Sequence, residues 1–399
     1  MKTSRVVMLA LAVLAAAAVA AGAQSAAPAL GQPGSLVEVY GLIDTGLRFS
    51  TNADGAGDSY FAFSQGLFNG SRFGIRGTED LGGVKAIYTL EGGVILPYGA
   101  LDQQAQIFGR QAWVGLSSSD YGTLTFGRQY GTFSDAIGAG DVFGVGHGNM
   151  GNNGKATSNV NNLSGTDAVN SFFLSESGFR WDTSIKYAGS FSGVTVGAMA
   201  ALGNMVVSYQ ENTMFAGSLG YSSKDVPISG AVGVQYEVDG GLKTHTVVGG
   251  GVKYALDAAD GVYAFAFYSA FDQGFTNTTA ASGNTNSEFK GPQAQARTDV
   301  IGGVGANYFV IPSSLNVILA YYLDYAQNVT ASGDTGIRNS GLVALDYYFS
   351  KDFDVYLGAW ASFFGAAFES SPNGGDFAAA SGTPISGTFS GMIGARFRF

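Results

Sequence analysis

Residues able to do chemistry are scarce in this chain. Cysteine is absent and histidine occurs only twice in 399 residues, at His147 and His245. Thiolate nucleophiles, disulfides and Cys-ligated metals therefore drop out, and a multi-histidine metal site would need carboxylate help. No Gly-x-Ser-x-Gly, His-Glu-x-x-His or P-loop spacing occurs, and His147 reads as a solvated side chain, so no catalytic residue, metal or cofactor is expected. What stands out is charge placed on one parity of otherwise apolar stretches. Arg72 and Arg76 alternate with Phe73 and Ile75, and Arg180, Asp182, Ser184 and Lys186 alternate with Trp181, Thr183, Ile185 and Tyr187. Fixed charges that line a narrow aqueous passage decide which ions cross it. Arg72, Arg76 and Arg180 are expected to face such a passage.

Those side chains need strands to hold them. From Leu36 to Phe49 one parity is apolar (Val37, Val39, Ile43, Leu47, Phe49) and the other carries Glu38, Asp44 and Arg48. Similar alternation runs from Phe353 to Phe363 and from Met392 to Phe399, longer than the roughly five or six residues usual in soluble sheets. Short turns at 79–83, 118–122, 189–193, 223–227, 257–261, 311–314 and 350–352 alternate with polar stretches at 51–70, 131–177, 273–295 and 366–385. Seven such turns, each joining two strands, plus the two outer strands make 16. An open meander of that length would leave two edges, so it must close. Because so wide a barrel cannot be filled by its own side chains, the apolar parity is expected to face lipid and the polar parity a water-filled lumen. Tyr187, Tyr254, Tyr347, Phe349, Phe397 and Phe399 suit the aromatic girdles of such a wall.

Composition agrees with that architecture. Hydrophobic residues make up 46% and charged residues only 13%, with 61 glycines, a formal charge of −10 and a pI near 4.6. The acidic balance argues against nucleic acid as a partner. Residues 1–23 open with Lys2 and Arg5, continue through an apolar run and end in Ala21-Gly22-Ala23, the pattern of a secretory signal peptide too short to span a bilayer. The expected division is a signal peptide over 1–23 and a barrel over 24–399.

Particular segments resemble the general diffusion porins of Gram-negative outer membranes: Ser71 to Gly83, Phe108 to Leu116, Tyr121 to Tyr130, Val39 to Gly46 and the terminal Gly391 to Phe399. The resemblance implies a 16-stranded antiparallel transmembrane β-barrel, assembled as a homotrimer, whose third extracellular loop folds into the lumen. It implies passive passage of ions and small hydrophilic solutes, contact with outer-membrane lipid and lipopolysaccharide, and a terminal Phe399 read by the barrel-insertion machinery. It places Arg110 on the basic wall of the constriction, although Arg110 shares parity with Val114 and Leu116, and it places Asp135 and Asp141 on the inward loop opposite. After Phe143 the loop turns Gly- and Asn-rich and lacks a Pro-Glu element found in some relatives, which leaves a second loop carboxylate open. Arg128 shares parity with Leu124 and Phe126 and is assigned to the trimer contact. Two other readings stand beside diffusion: a substrate-selective channel with Tyr356 and Trp360 on an aromatic track, and an adhesin.

Overall fold

A computed structural model describes residues 35–52, 59–103, 106–143, 180–203, 213–275, 295–370 and 386–399. The strands are β1 (Ser35–Ser50), β2 (Tyr60–Gln65), β3 (Arg72–Asp80), β4 (Lys85–Ile95), β5 (Ala100–Leu101) and β6 (Gln111–Ser118). They continue with β7 (Gly122–Tyr130), β8 (Arg180–Phe191), β9 (Val194–Leu202), β10 (Thr213–Tyr221), β11 (Ile228–Val238) and β12 (Thr244–Ala255). The last six are β13 (Gly261–Phe271), β14 (Arg297–Ile311), β15 (Leu315–Gln327), β16 (Thr335–Tyr348), β17 (Phe353–Ala366) and β18 (Gly387–Arg398). Among the described residues two α-helices lie in loops, α1 (Thr132–Gly138) and α2 (Ala367–Ser370).

Sequential neighbours pair antiparallel around the ring, and β1 closes it by pairing with both β18 and β2. Of the 18 strand segments, β5 pairs only with β4, while β2 and β3 are two halves of one stave. That leaves 16 staves, as the turn count predicts. All seven short turns fall between consecutive strands, at one end of the barrel, and the long loops gather at the other.

Two expectations need correction. The stretch 51–70 is not all loop: Tyr60–Gln65 is a strand whose Phe61 and Phe63 point outward, hidden in the sequence by its Gly- and Asp-rich neighbours. Residues 66–71 then leave the wall and turn inward. Asp44 holds them, accepting the Gly66 N–H on its backbone carbonyl and the Asn69 N–H on its carboxylate, while the Tyr356 hydroxyl accepts the Leu67 N–H.

The second correction concerns the inner face. Outward residues follow the expected parity: Val37, Val39, Ile43, Leu357 and Phe363 are exposed, and Asp44 and Arg48 are buried on the inner side. Along β12–β18, however, the inner parity also carries Val247, Phe265, Phe267, Ile301, Tyr322, Leu342, Tyr356 and Trp360, which form one buried cluster with Leu67, Phe68, Phe133 and Ile137. Half the barrel therefore has a dry core inside its own lumen. The cover comes from chain that folds inward, the 66–71 excursion and α1, which remove apolar surface from water that the wall alone would leave wet.

At the short-turn end Tyr347, Phe349, Phe353, Phe397 and Phe399 form a continuous ladder of ring contacts. All five are outward and exposed, in the position of an aromatic girdle.

Candidate functional site

The basic wall is built where β3, β4, β6, β7 and β8 approach the long-loop end. Arg72 opens β3 on its inner parity and donates from Nε to the Gly70 carbonyl at 3.0 Å. Across the β3–β4 register, Glu91 also points inward, accepting from the Tyr40 hydroxyl at 3.0 Å and from Arg110 Nε at 2.8 Å. Arg110 then donates from Nη2 to the Tyr130 hydroxyl at 2.8 Å. Arg180 donates to the same hydroxyl at 3.1 Å and lays its guanidinium over the Tyr130 ring at 4.8 Å. Arg72 lies within electrostatic reach of Arg110, Tyr130 and Glu91. Three arginines thus converge on one tyrosine and one carboxylate.

Neither Arg110 nor Arg180 gets there by simple alternation. Val114 and Leu116 do face outward, but β6 begins only at Gln111, so Arg110 lies outside the pleat and turns toward Glu91. In β8 the alternation breaks at Thr183, whose φ of +48° marks an irregularity matched by the register shift between Gly127 and Gln129. Ser184 and Lys186 face inward below that break. Above it Trp181 turns inward and packs with Met199, Ala201 and Met214, and Arg180, paired with Tyr130 in register, stacks on that ring.

The remaining arginines are placed differently. Arg76 forms a two-pronged pair with Glu38, both contacts at 2.8 Å, and stacks over Tyr40 at 5.0 Å. It sits nearer the short turns than the cluster and is joined to it through Tyr40. Arg128 is buried, donating to the Gly109 carbonyl at 2.6 Å and to Asp182 at 2.7 Å. These bonds tie β7 to its two neighbouring segments.

The start of the third loop lies along the opposite inner surface. Leaving Tyr130, α1 runs across the inner faces of β9–β13; Phe133 meets Phe267 edge-on at 5.9 Å. At Gly251 a Cβ would stand 2.5 Å from the Gly140 nitrogen, so only glycine lets the loop backbone lie flat on the wall there. Asp141 accepts from the Tyr322 hydroxyl at 2.7 Å and is buried. Phe143 stacks on Phe68 of the inward excursion, with ring centres 5.9 Å apart. Asp135 pairs with Lys186 on β8. Both loop carboxylates predicted for the constriction are therefore engaged with wall side chains, Asp141 on the apolar half and Asp135 beside the basic one. Residues 144–179, including His147, lie outside the described residues.

Sequence reasoning did not single out Glu91, Tyr40 or Tyr130. The signal available was that Glu91 shares the inner parity of β4 directly beside the Arg72 strand. Tyr356 and Trp360 do not form an open aromatic track. Tyr356 donates to Asp44 at 2.6 Å, Trp360 lies under the Arg48 guanidinium at 5.3 Å, and both are buried. His245 is also a wall residue: Nδ1 stands 3.1 Å from Glu237, Nε2 2.8 Å from the Ser269 hydroxyl, and the ring stacks on Phe271 at 3.9 Å.

A ring of closed strands with cations at one side of its interior can concentrate and orient charged or dipolar solutes, because low-dielectric walls focus the field. Comparison with known proteins fits that geometry. The family model described as Gram-negative porin matches residues 10–361. An outer membrane porin protein of Bordetella pertussis is 39% identical over 158 residues, 36% of this chain and 41% of that relative, so the chain aligns with less than half the relative's length. Among solved structures, an anion-selective porin from Comamonas acidovorans superposes with a TM-score of 0.63 at 20% identity, covering 92% of this chain and all of that one. OmpT of Vibrio cholerae in its trimer form gives a TM-score of 0.60 at 14% identity over 92% of this chain and all of that one. At these identities the two structures attest the fold.

Proposed function

The chain belongs to the Gram-negative porin family, and from that premise we propose that it is an outer-membrane general diffusion channel, passing ions and small hydrophilic solutes passively through a water-filled barrel. The observation that carries this reading is the convergence of Arg72, Arg110 and Arg180 on Tyr130 at one side of the lumen, at the strand end from which the third loop departs to cross the interior. These residues, with Arg76 on the approach from the short-turn end, set the local field. Asp135 and Asp141 hold the loop in place, the first through Lys186 and the second through the Tyr322 hydroxyl. Five cations there, Arg72, Arg76, Arg110, Arg180 and Lys186, stand against four carboxylates, Glu38, Glu91, Asp135 and Asp141, so the wall is net basic and anions are the favoured ions although the whole chain is acidic.

The same reading includes a homotrimer with Arg128 stiffening the wall at the subunit contact, export directed by residues 1–23, a lipid and lipopolysaccharide surround, and Phe399 as the assembly signal. The relatives are porins, and the chain is read with them as a channel rather than an enzyme.

Single-channel recording of purified protein in planar bilayers tests the reading. Stable ohmic steps, a reversal potential of anionic sign under a salt gradient and no saturable block by sugars are expected. Strong block by one solute class would replace general diffusion with a selective channel. On denaturing gels a band that collapses to monomer only on boiling is expected for the trimer.

A further inference from the structure

A recess of about 500 Å³ lies between α1 and the inner faces of β7–β11. Its floor is built from small residues, because Gly197 stands in register with Ala188 on one side and Ser218 on the other. Ser118 and Ser190, beside two of the short turns, mark its lower edge, so it lies toward the end that in outer-membrane barrels is periplasmic. Three groups there hold unspent hydrogen-bonding capacity. Thr132 is 1% exposed, yet its hydroxyl has no hydrogen-bond partner among the described residues, a costly state for a buried polar atom. At Gly197 a Cβ would stand 2.5 Å from the Ser218 hydroxyl and 2.7 Å from the Thr132 methyl, so only glycine lets both side chains lean over the floor. Lys186 Nζ donates to the Tyr130 carbonyl at 3.0 Å and to Oδ2 of Asp135, which leaves one of its three N–H donors. Oδ1 of the half-open Asp135 side chain remains an acceptor.

We propose that this recess binds a neutral polyol with adjacent hydroxyls, of hexose or cyclitol size. An ammonium and a carboxylate held side by side offer one donor and one acceptor, and two vicinal hydroxyls match them: one accepts from Lys186 while its neighbour donates to Oδ1 of Asp135. A further hydroxyl of the polyol supplies the partner that Thr132 lacks. Ala188 and Gly197 leave room on the floor for the C–H face of the ring. Among the described residues Lys186 and Asp135 are the only charged groups that line the recess, and they neutralise each other. An ion therefore gains nothing there over water, whereas a neutral solute gains hydrogen bonds. The site is set under the loop helix, apart from the convergence of arginines on Tyr130, and does not depend on which ions the lumen prefers.

The test titrates the full mature chain in detergent micelles with myo-inositol, followed by saturation-transfer NMR on the ligand, against 1,3,5-cyclohexanetriol, the same ring with no two hydroxyls adjacent. Saturable binding of inositol and about tenfold weaker binding of the triol are expected. Thr132→Val keeps the side-chain shape and removes the unpartnered hydroxyl, so it should fold as well as the wild type and weaken inositol about tenfold. Ala188→Leu, which fills the floor, should abolish binding; if that variant fails to fold, Thr132→Val decides the matter. Equal binding of the two rings, or undiminished binding by Thr132→Val, overturns the proposal and leaves the recess to water. In planar bilayers, inositol at the saturating concentration should leave the ohmic steps unblocked, and block would place the polyol across the lumen and overturn the recess as its site. The reversal potential under a salt gradient tests the ion-channel reading separately, so failure of one is distinguishable from failure of the other.

Discussion

Two halves of the lumen share one alternation rule and use it oppositely. Along β3–β8 the inner parity presents Arg72, Glu91, Lys186 and the Tyr130 hydroxyl, a polar surface bonded across strands. Along β12–β18 the same parity presents Phe265, Phe267, Ile301 and Tyr356, sealed under α1 and the Leu67–Phe68 excursion. The same parity also carries buried ion pairs, Arg338 with Asp324 at 2.7 Å toward the long-loop end and Arg396 with Asp346 at 2.8 Å toward the short turns. The difference teaches that pleating assigns a side chain to a face but does not decide whether that face is wet. A second layer of chain decides it, and the start of one loop touches both halves: α1 packs on the dry one, while Asp135 pairs with Lys186 on the charged one.

The strongest way to break this contrast is to unseat the loop from the dry half. Phe133 is fully buried against Phe267, so Phe133→Ala should cost about 3–5 kcal/mol, seen as a lower unfolding midpoint in urea from phospholipid vesicles, together with larger and noisier conductance. A wild-type midpoint would mean that the inner core does not hold the loop. Tyr322→Phe is milder. It removes the donor to buried Asp141 and should cost about 1.5–3 kcal/mol, the usual worth of a bond to a charged group, with open-channel noise rising before mean conductance changes.

The polar half is sharpened by Arg72→Gln combined with Arg180→Gln. Stability should fall less than in Phe133→Ala, and the reversal potential under a salt gradient should move toward cations; an unchanged potential would remove these two residues from the selectivity filter. The smallest effect belongs to neither wall. Burial lifts the Asp334 carboxyl slightly, but the Thr330 hydroxyl and the Thr330 and Ala331 N–H groups outweigh it and hold the group below the usual carboxylate range. A carboxyl depressed on folding stabilises the loop above the unfolded value, about 4, and that contribution is lost as pH falls through the folded value. Asp334→Asn should therefore remove a few tenths of a kcal/mol at neutral pH and flatten part of the acid-side decline in melting midpoint, leaving conductance alone.

Much of the architecture was legible in residues alone. Period-two alternation identified long strands, Gly-, Asp- and Ser-rich turns marked all seven connections at one end of the barrel, and their count predicted the closed 16-stave ring. Parity alone placed Arg72 inward. It did not place Arg110, which precedes its strand and which only the family resemblance put on the basic wall, and for Arg180 it gave the inner side although the irregularity at Thr183 breaks the alternation on which that reading rests. Glu91 and Tyr130 were illegible as a unit because they are 39 positions apart in sequence and meet only when β4, β6 and β7 are laid side by side.

Within regular strand the sequence by itself determined which residues face out and which face in, because the two-residue pleat is a local property of extended chain and lipid tolerates little but apolar side chains; at Arg110 and around Thr183, where the pleat ends or breaks, it did not. Only the tertiary structure decided which inner residues meet water. That depends on where α1 and the inward turn at 66–71 come to rest, and those positions are set by contacts between segments far apart in the chain, such as Phe143 on Phe68 and Asp141 on Tyr322.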